Sequence, residues 1–216
     1  KLTVQAQGEL LGQWEVLQPL GSGGYGSVYK VQRMIVQEAA PRLGALKLLR
    51  EGKERDARAQ SRAEILALSQ MESIYIARLI DANLDGKQPW FVSEYIDGRH
   101  LYFRQYALGE FSEFEWLKLA HNLFMAIKAS HLRGIAHRDI KPDNILYSDS
   151  SEIYVLVDFG LAIFMDAFHA SLFSQSPSLK ELSPKAGTFL YQAPEQTEGY
   201  PDLSSDVFAA GTLLYE

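Results

Sequence analysis

The sequence predicts an α+β chain in two parts: a small antiparallel sheet with one helix over residues 1–96, then a more helical part over 97–216. Three observations carry this. Before Gly98, short runs alternate apolar and polar residues, broken once by a segment of helical period. After Gly98, a long helical pattern follows a capping signal. Between Asp158 and Glu195 neither period holds, and Ser, Gly and Pro accumulate.

Each element has its own signal. Trp14 to Val31 alternates around a glycine cluster and predicts a hairpin. Arg42 to Leu49 predicts a strand that carries Ala45 and Lys47 on one face. Asp56 to Met71 places Ile65, Leu68 and Met71 at helical spacing, with charges between. Arg78–Asp81 and Trp90–Tyr95 predict two more strands. Ser112 with Glu115 three residues on is a capping-box pair, and Leu117, Ala120, Phe124, Ile127 and His131 are expected on one helical face ending at Gly134. Ile145–Tyr147 and Tyr154–Val157 predict a small hairpin, and a last helix is expected from Ser205.

Composition narrows the functional classes. Apolar residues form 47% of the 216, enough for a sizeable core, and no apolar stretch is long enough to span a membrane. No cysteine is present, so disulfides and thiolate metal sites are excluded. A net charge of −6 argues against a nucleic-acid surface. The start, Lys1-Leu2-Thr3-Val4-Gln5, has neither an initiator Met nor a signal-peptide pattern, so the chain is expected to be a piece of a longer protein.

The chemistry concentrates in ordered strings. Gly21-Ser22-Gly23-Gly24-Tyr25-Gly26 gives G-x-G-x-x-G, a weak signal by itself. A dinucleotide fold needs a helix directly after it, whereas Ser27-Val28-Tyr29-Lys30-Val31 is strand-like. That favours a flap in which absent side chains let backbone N–H groups approach phosphates; an ordinary hairpin turn is the plainer explanation. Lys47 lies within an apolar strand, where a lone lysine usually snorkels from an edge. Then come His137-Arg138-Asp139-Ile140-Lys141-Pro142-Asp143-Asn144, Asp158-Phe159-Gly160 and Ala193-Pro194-Glu195.

In this order, the strings resemble the protein kinase family from about Trp14 onward. The resemblance implies a bilobal fold, a small antiparallel sheet lobe plus a helical lobe, with ATP and Mg²⁺ as cofactors. It implies that Lys47 holds the α and β phosphates and pairs with Glu64, a better match than Glu51, Glu54 or Glu72. Asp139 is then the acceptor of the hydroxyl proton, Lys141 neutralises charge on the transferring phosphoryl, and Asn144 and Asp158 are the metal ligands. Gly21, Gly23 and Gly26 would cover the phosphates, Val28 and Ala45 roof the adenine, and Leu146 floor it. Glu94 to Ile96 would be the hinge, and Ser93 the residue controlling access behind it. As plain core residues of a sheet, these positions would look the same. Leu68, Leu79, His137 and Phe159 match the family's stack of linking side chains.

Lys141 and Gly187-Thr188 resemble the serine/threonine branch, in which that Thr contacts the Asp and Lys, and Gln196 resembles bacterial members. A protein substrate is expected to dock at the segment ending in Ala193-Pro194-Glu195, in the cytoplasm, without nucleic-acid or membrane contact. Phosphorylation within Ser171, Ser174, Ser176, Ser178 or Ser183, with Ser183 first, is expected to pair with Arg138. The family's helical lobe continues beyond the helix carrying Asp206, so this lobe is expected to be incomplete and Glu195 to lack its Arg. Two other readings are a nucleotide-holding pseudokinase, against which Lys47, Asp139 and Asp158 stand, and a small-molecule kinase, against which the Ala-Pro-Glu platform stands.

Overall fold

Alternating side chains build the first part of the molecule. The computed structural model describes residues 7–23, 26–34, 40–49, 54–84, 89–109, 111–166 and 187–216. The expectations on Gly24, Tyr25, Glu51 and Ser171 to Ser183 lie outside these residues. Strands β1 (Leu10–Leu11), β2 (Trp14–Gly23), β3 (Gly26–Arg33), β4 (Arg42–Leu49), β5 (Leu79–Asn83) and β6 (Trp90–Glu94) form one antiparallel sheet in the order β1-β2-β3-β4-β6-β5. One face buries Trp14, Val16, Tyr29, Val31, Leu46, Leu48, Trp90 and Val92. The intervening residues therefore share the other face, because strand side chains alternate. The register sets Val28 beside Lys47, Lys47 beside Phe91, and Ala45 beside Ser93. Trp14 closes the core while its indole Nε1 donates to Asp81 Oδ2 at 2.9 Å, and the Arg33 guanidinium lies over its ring.

Helix α1 (Glu54–Ser69) follows β4. The chain divides into two compact units, Lys1–Ile65 with Arg78–Tyr95, and Leu66–Ala77 with Ile96–Glu216. The division passes through α1, so the end of that helix and the turn after it belong to the second unit.

In the second unit, β7 (Gly98–His100) leads into α2 (Leu101–Leu108), then α3 (Glu113–His131) and β8 (Ile135–Ala136). A 3₁₀ turn (Pro142–Asn144), the hairpin β9 (Ile145–Ser148) and β10 (Ile153–Leu156), and β11 (Ile163–Phe164) follow. A second 3₁₀ turn (Phe189–Tyr191), α4 (Pro194–Glu198) and α5 (Leu203–Tyr215) complete it. Strands β10, β9 and β7 form one small sheet, and β11 pairs with β8. The short strands β1, β7, β8 and β11 and helix α2 carry no periodic signal long enough to be read from sequence. Among the described residues no helix is long and apolar enough to cross a membrane.

Helix α3 begins as its sequence dictates, with Ser112 Oγ accepting the Glu115 N–H at 3.3 Å. Its buried face differs from the expected one. Leu119, Leu123, Ala126, Ile127 and Ser130 are buried, whereas Leu117 and Phe124 are exposed. Apolar residues flank the buried stripe on both sides, so helical period alone fits two rotations. The rotation observed lets Asn122 Oδ1 accept the Tyr154 N–H at 2.9 Å, satisfying a buried backbone donor. Arg104 of α2 lies 3.3 Å over the Tyr147 ring and donates to the Tyr154 hydroxyl, which donates in turn to Glu115. Burial first, then the Glu115 carboxylate, holds the Tyr154 phenol well above its ordinary pKa.

Gly98 is fixed by contact. Its neighbour across the β7–β9 pair leaves no room for a Cβ, which would run into the Tyr147 carbonyl. Gly98→Ala in the full-length protein is expected to cost about 1–3 kcal/mol of stability, as overpacking does. Urea unfolding measures it; an unchanged midpoint refutes the close packing.

Candidate active site

In the first unit, Lys47 sits centrally in β4 on the face opposite the apolar core. Its Nζ lies 3.0 Å from both Glu64 carboxylate oxygens. Lys47 is 9% and Glu64 3% exposed, so the pair is dry on both sides. Helical spacing presents Glu64 one turn before Leu68, and the Lys47–Glu64 pairing holds α1 and β4 together within this unit. The strand face around Lys47 carries half-buried Val28, Ala45 and Ser93. Ser93 Oγ donates to the Ala45 carbonyl at 3.4 Å. Gly21, Gly23 and Gly26 lie at the β2–β3 hairpin, where Gly21 pairs with Val28 and Gly23 with Gly26. Glu94 is exposed at the end of β6, its N–H donated to the Arg78 carbonyl at 2.8 Å.

In the second unit a loop runs from β8 to β9 and is held from several sides. Asp206, in the first turn of α5 and 1% exposed, accepts the His137 N–H through Oδ2 and the Arg138 N–H through Oδ1, both at 2.8 Å. His131 Nε2 lies 3.0 Å from the same Oδ2. Arg138 adopts φ 71, a conformation costly for a non-glycine residue. His137 packs edge-on against Phe159, accepts the Asp139 N–H at Nδ1 and so donates to the Val157 carbonyl at Nε2.

This frame aims Asp139. Its Oδ1 accepts the Thr188 N–H at 2.9 Å and the Thr188 hydroxyl at 2.7 Å. Its Oδ2 lies 2.7 Å from Lys141 Nζ and 3.1 Å from Asn144 Nδ2. Lys141 also donates to Thr188 Oγ1 at 2.9 Å. Asn144 Nδ2 further donates to the Asp139 carbonyl, which turns its Oδ1 into the side chain's remaining polar end. The Val157 N–H donates to the Asn144 carbonyl at 2.9 Å, one residue before Asp158. Asp158 has φ 60 and an exposed side chain, with Oδ1 accepting the Gly160 N–H. Leu146 and Ile96 are half-buried in the same unit.

The second unit thus carries an oriented carboxylate, a cation and the hard oxygen donor Asn144 in one loop, and a second hard oxygen donor, Asp158, after the β9–β10 hairpin. That set can accept a proton and steady developing negative charge. It is also a chemically suitable donor set for Mg²⁺, which binds proteins through one or two carboxylate or amide oxygens and keeps its other positions for water and phosphate.

Three features depart from the sequence-based picture or were missed by it. Glu195 is half-buried, and its Oε1 accepts the Ser205 hydroxyl at 2.6 Å. It was expected to lack its Arg and stand unpaired; a serine that also accepts the Asp202 N–H is a donor to it. Arg138 is 4% exposed, and its expected partner Ser183 lies outside the described residues. Gln196 is 1% exposed and donates through Nε2 to the Arg138 carbonyl at 2.8 Å, a role without a short-range sequence signal.

The family profile described as Protein kinase domain matches residues 14–216. The chain belongs to the protein kinase family. Calcium-dependent protein kinase 5 of Plasmodium falciparum is 31% identical over 198 residues, 91% of this chain and 32% of that protein. Serine/threonine-protein kinase pkn2 of Myxococcus xanthus is 33% identical over 209 residues, 94% of this chain and 24% of that protein. AtPK2/AtPK19, a serine/threonine-protein kinase of Arabidopsis thaliana, is 32% identical over 206 residues, 94% and 40% respectively. The chain therefore spans about a quarter to two-fifths of the length of these relatives. The family's fold of an antiparallel sheet part and a helical part agrees with the sheet unit and the helical unit of this chain.

Proposed function

We propose that the protein is an ATP-dependent serine/threonine protein kinase. The single observation that carries this reading is the Asp139 carboxylate, held by four donors from Thr188, Lys141 and Asn144. The acceptor hydroxyl oxygen forms a bond to the γ-phosphorus as the bond to the ADP oxygen breaks. Its proton passes to Asp139, and little base strength is needed because the transition state is loose. Lys141 balances charge on the phosphoryl oxygens. Lys47, oriented by Glu64, holds the α and β phosphates. Asn144 and Asp158 would hold Mg²⁺, which would supply charge neutralisation at the phosphates. Gly21, Gly23 and Gly26 are assigned to the phosphates, and Val28, Ala45, Leu146, Ser93, Glu94 and Ile96 to adenine recognition.

The contact of Thr188 with both Asp139 and Lys141 supports the serine/threonine branch, and the names of the bacterial and plant relatives point the same way. The segment ending in Ala193-Pro194-Glu195 is the docking platform for a protein substrate. The same reading assigns the domain to the cytoplasm, where ATP is supplied. Full-length protein, Mg-ATP labelled at the γ position, and casein or a panel of small metabolites decide the matter. Label on casein serine or threonine is expected; label on metabolites alone, or on tyrosine, refutes the assignment.

A further inference from the structure

We infer that Gln196 is a positioning residue for phosphoryl transfer, acting through the peptide plane that joins Arg138 to Asp139. This deepens the kinase reading and rests on it for its kinetic part. The carbonyl of Arg138 and the N–H of Asp139 belong to one rigid plane. Gln196 Nε2 donates to the carbonyl at 2.8 Å, and the N–H donates to His137 Nδ1 at 3.2 Å. Both ends of the plane are therefore held. A carbonyl oxygen only accepts, so the side-chain atom facing it is the amide NH₂.

The plane needs holding. Arg138 has φ 71, and its N–H is already fixed by Asp206. A strained residue beside a mobile peptide relaxes by rotating that peptide, and rotation here carries the Asp139 side chain away from Thr188 and Lys141. Gln196 closes this route. The contact is tight as well as buried: a Cβ on Gly187, itself at φ 128, would lie 2.6 Å from both the Arg138 oxygen and Gln196 Nε2. Thr188 joins the segment 187–196 to Asp139 by its side chain, while Gln196 joins the same segment to the backbone just before it.

Two variants of the full-length protein test this. Gln196→Met keeps length and removes the donor. It is expected to lower kcat about tenfold or more, with the KM for ATP changed less than about twofold, and to speed amide exchange over 137–144. Gln196→Glu donates only when protonated, and burial raises that carboxyl's pKa. Its kcat relative to wild type is expected to fall as pH rises from about 6 to about 9. The charged and titratable groups around this site, Arg138, Asp139, His131, His137, Glu195 and Asp206, are present in both proteins. Wild-type kcat in Gln196→Met, or a flat pH ratio in Gln196→Glu, overturns the inference, and the Glu variant decides should the Met variant fail to fold. If the wild type transfers no phosphoryl group, the proposed function fails, and the exchange measurement still judges the inference: unchanged exchange over 137–144 overturns it.

Discussion

An Asp139→Asn variant is expected to lose about 10³-fold in kcat while binding Mg-ATP with affinity within about twofold of wild type. The loss goes beyond removing a base. Asp139 Oδ1 faces two donors from Thr188, and Oδ2 faces the Lys141 ammonium and the Asn144 NH₂. An asparagine has one oxygen and one NH₂, so in either orientation its NH₂ meets two donors. The side chain then leaves its socket, and Thr188 and Lys141 lose their common anchor. Nucleotide contacts assigned to other residues are untouched. Steady-state kinetics with calorimetry separate the two quantities. Retained kcat refutes the role of Asp139, and lost binding shows that it belongs to the nucleotide site.

Lys47→Met is expected to act twice. Losing an oriented charge at the phosphates lowers the rate by on the order of 10²-fold or more. It also leaves the carboxylate of Glu64 at 3% exposure without its ammonium, and breaking such a buried pair costs about 3–5 kcal/mol. That is a large part of a domain's roughly 5–15 kcal/mol. The double variant Lys47→Met/Glu64→Gln separates the effects, since it removes the stranded charge. It should recover much of the thermal stability and none of the activity. A double variant that melts as low as the single one shows that the pair is not what the stability loss reports.

What could be read in the sequence had a local signature. Lys47, Asp139, Lys141, Asn144 and Asp158 stand in short strings that residue type and chain order pick out, and the strands carrying Trp14, Leu46 and Val92 alternate cleanly. What could not be read depends on distant partners. The face of α3 is chosen by Asn122 meeting Tyr154, 32 residues away, against an apolar pattern that fits a second rotation equally well. Ser205 as donor to Glu195, and Gln196 as donor to Arg138, are ordinary polar residues until the fold brings their acceptors close. Glu64 lay between: its partner was legible only because the family pattern supplied it.

Asp206 has a consequence for how the protein comes into being. The two amides it holds lie 69 and 68 residues earlier in the chain. A ribosome makes every residue of the loop from His137 to Asn144, then Asp158 and Thr188, before it makes the carboxylate that fixes the loop's shape. Until α5 has emerged, a nascent chain therefore lacks the carboxylate that holds the His137 and Arg138 amides.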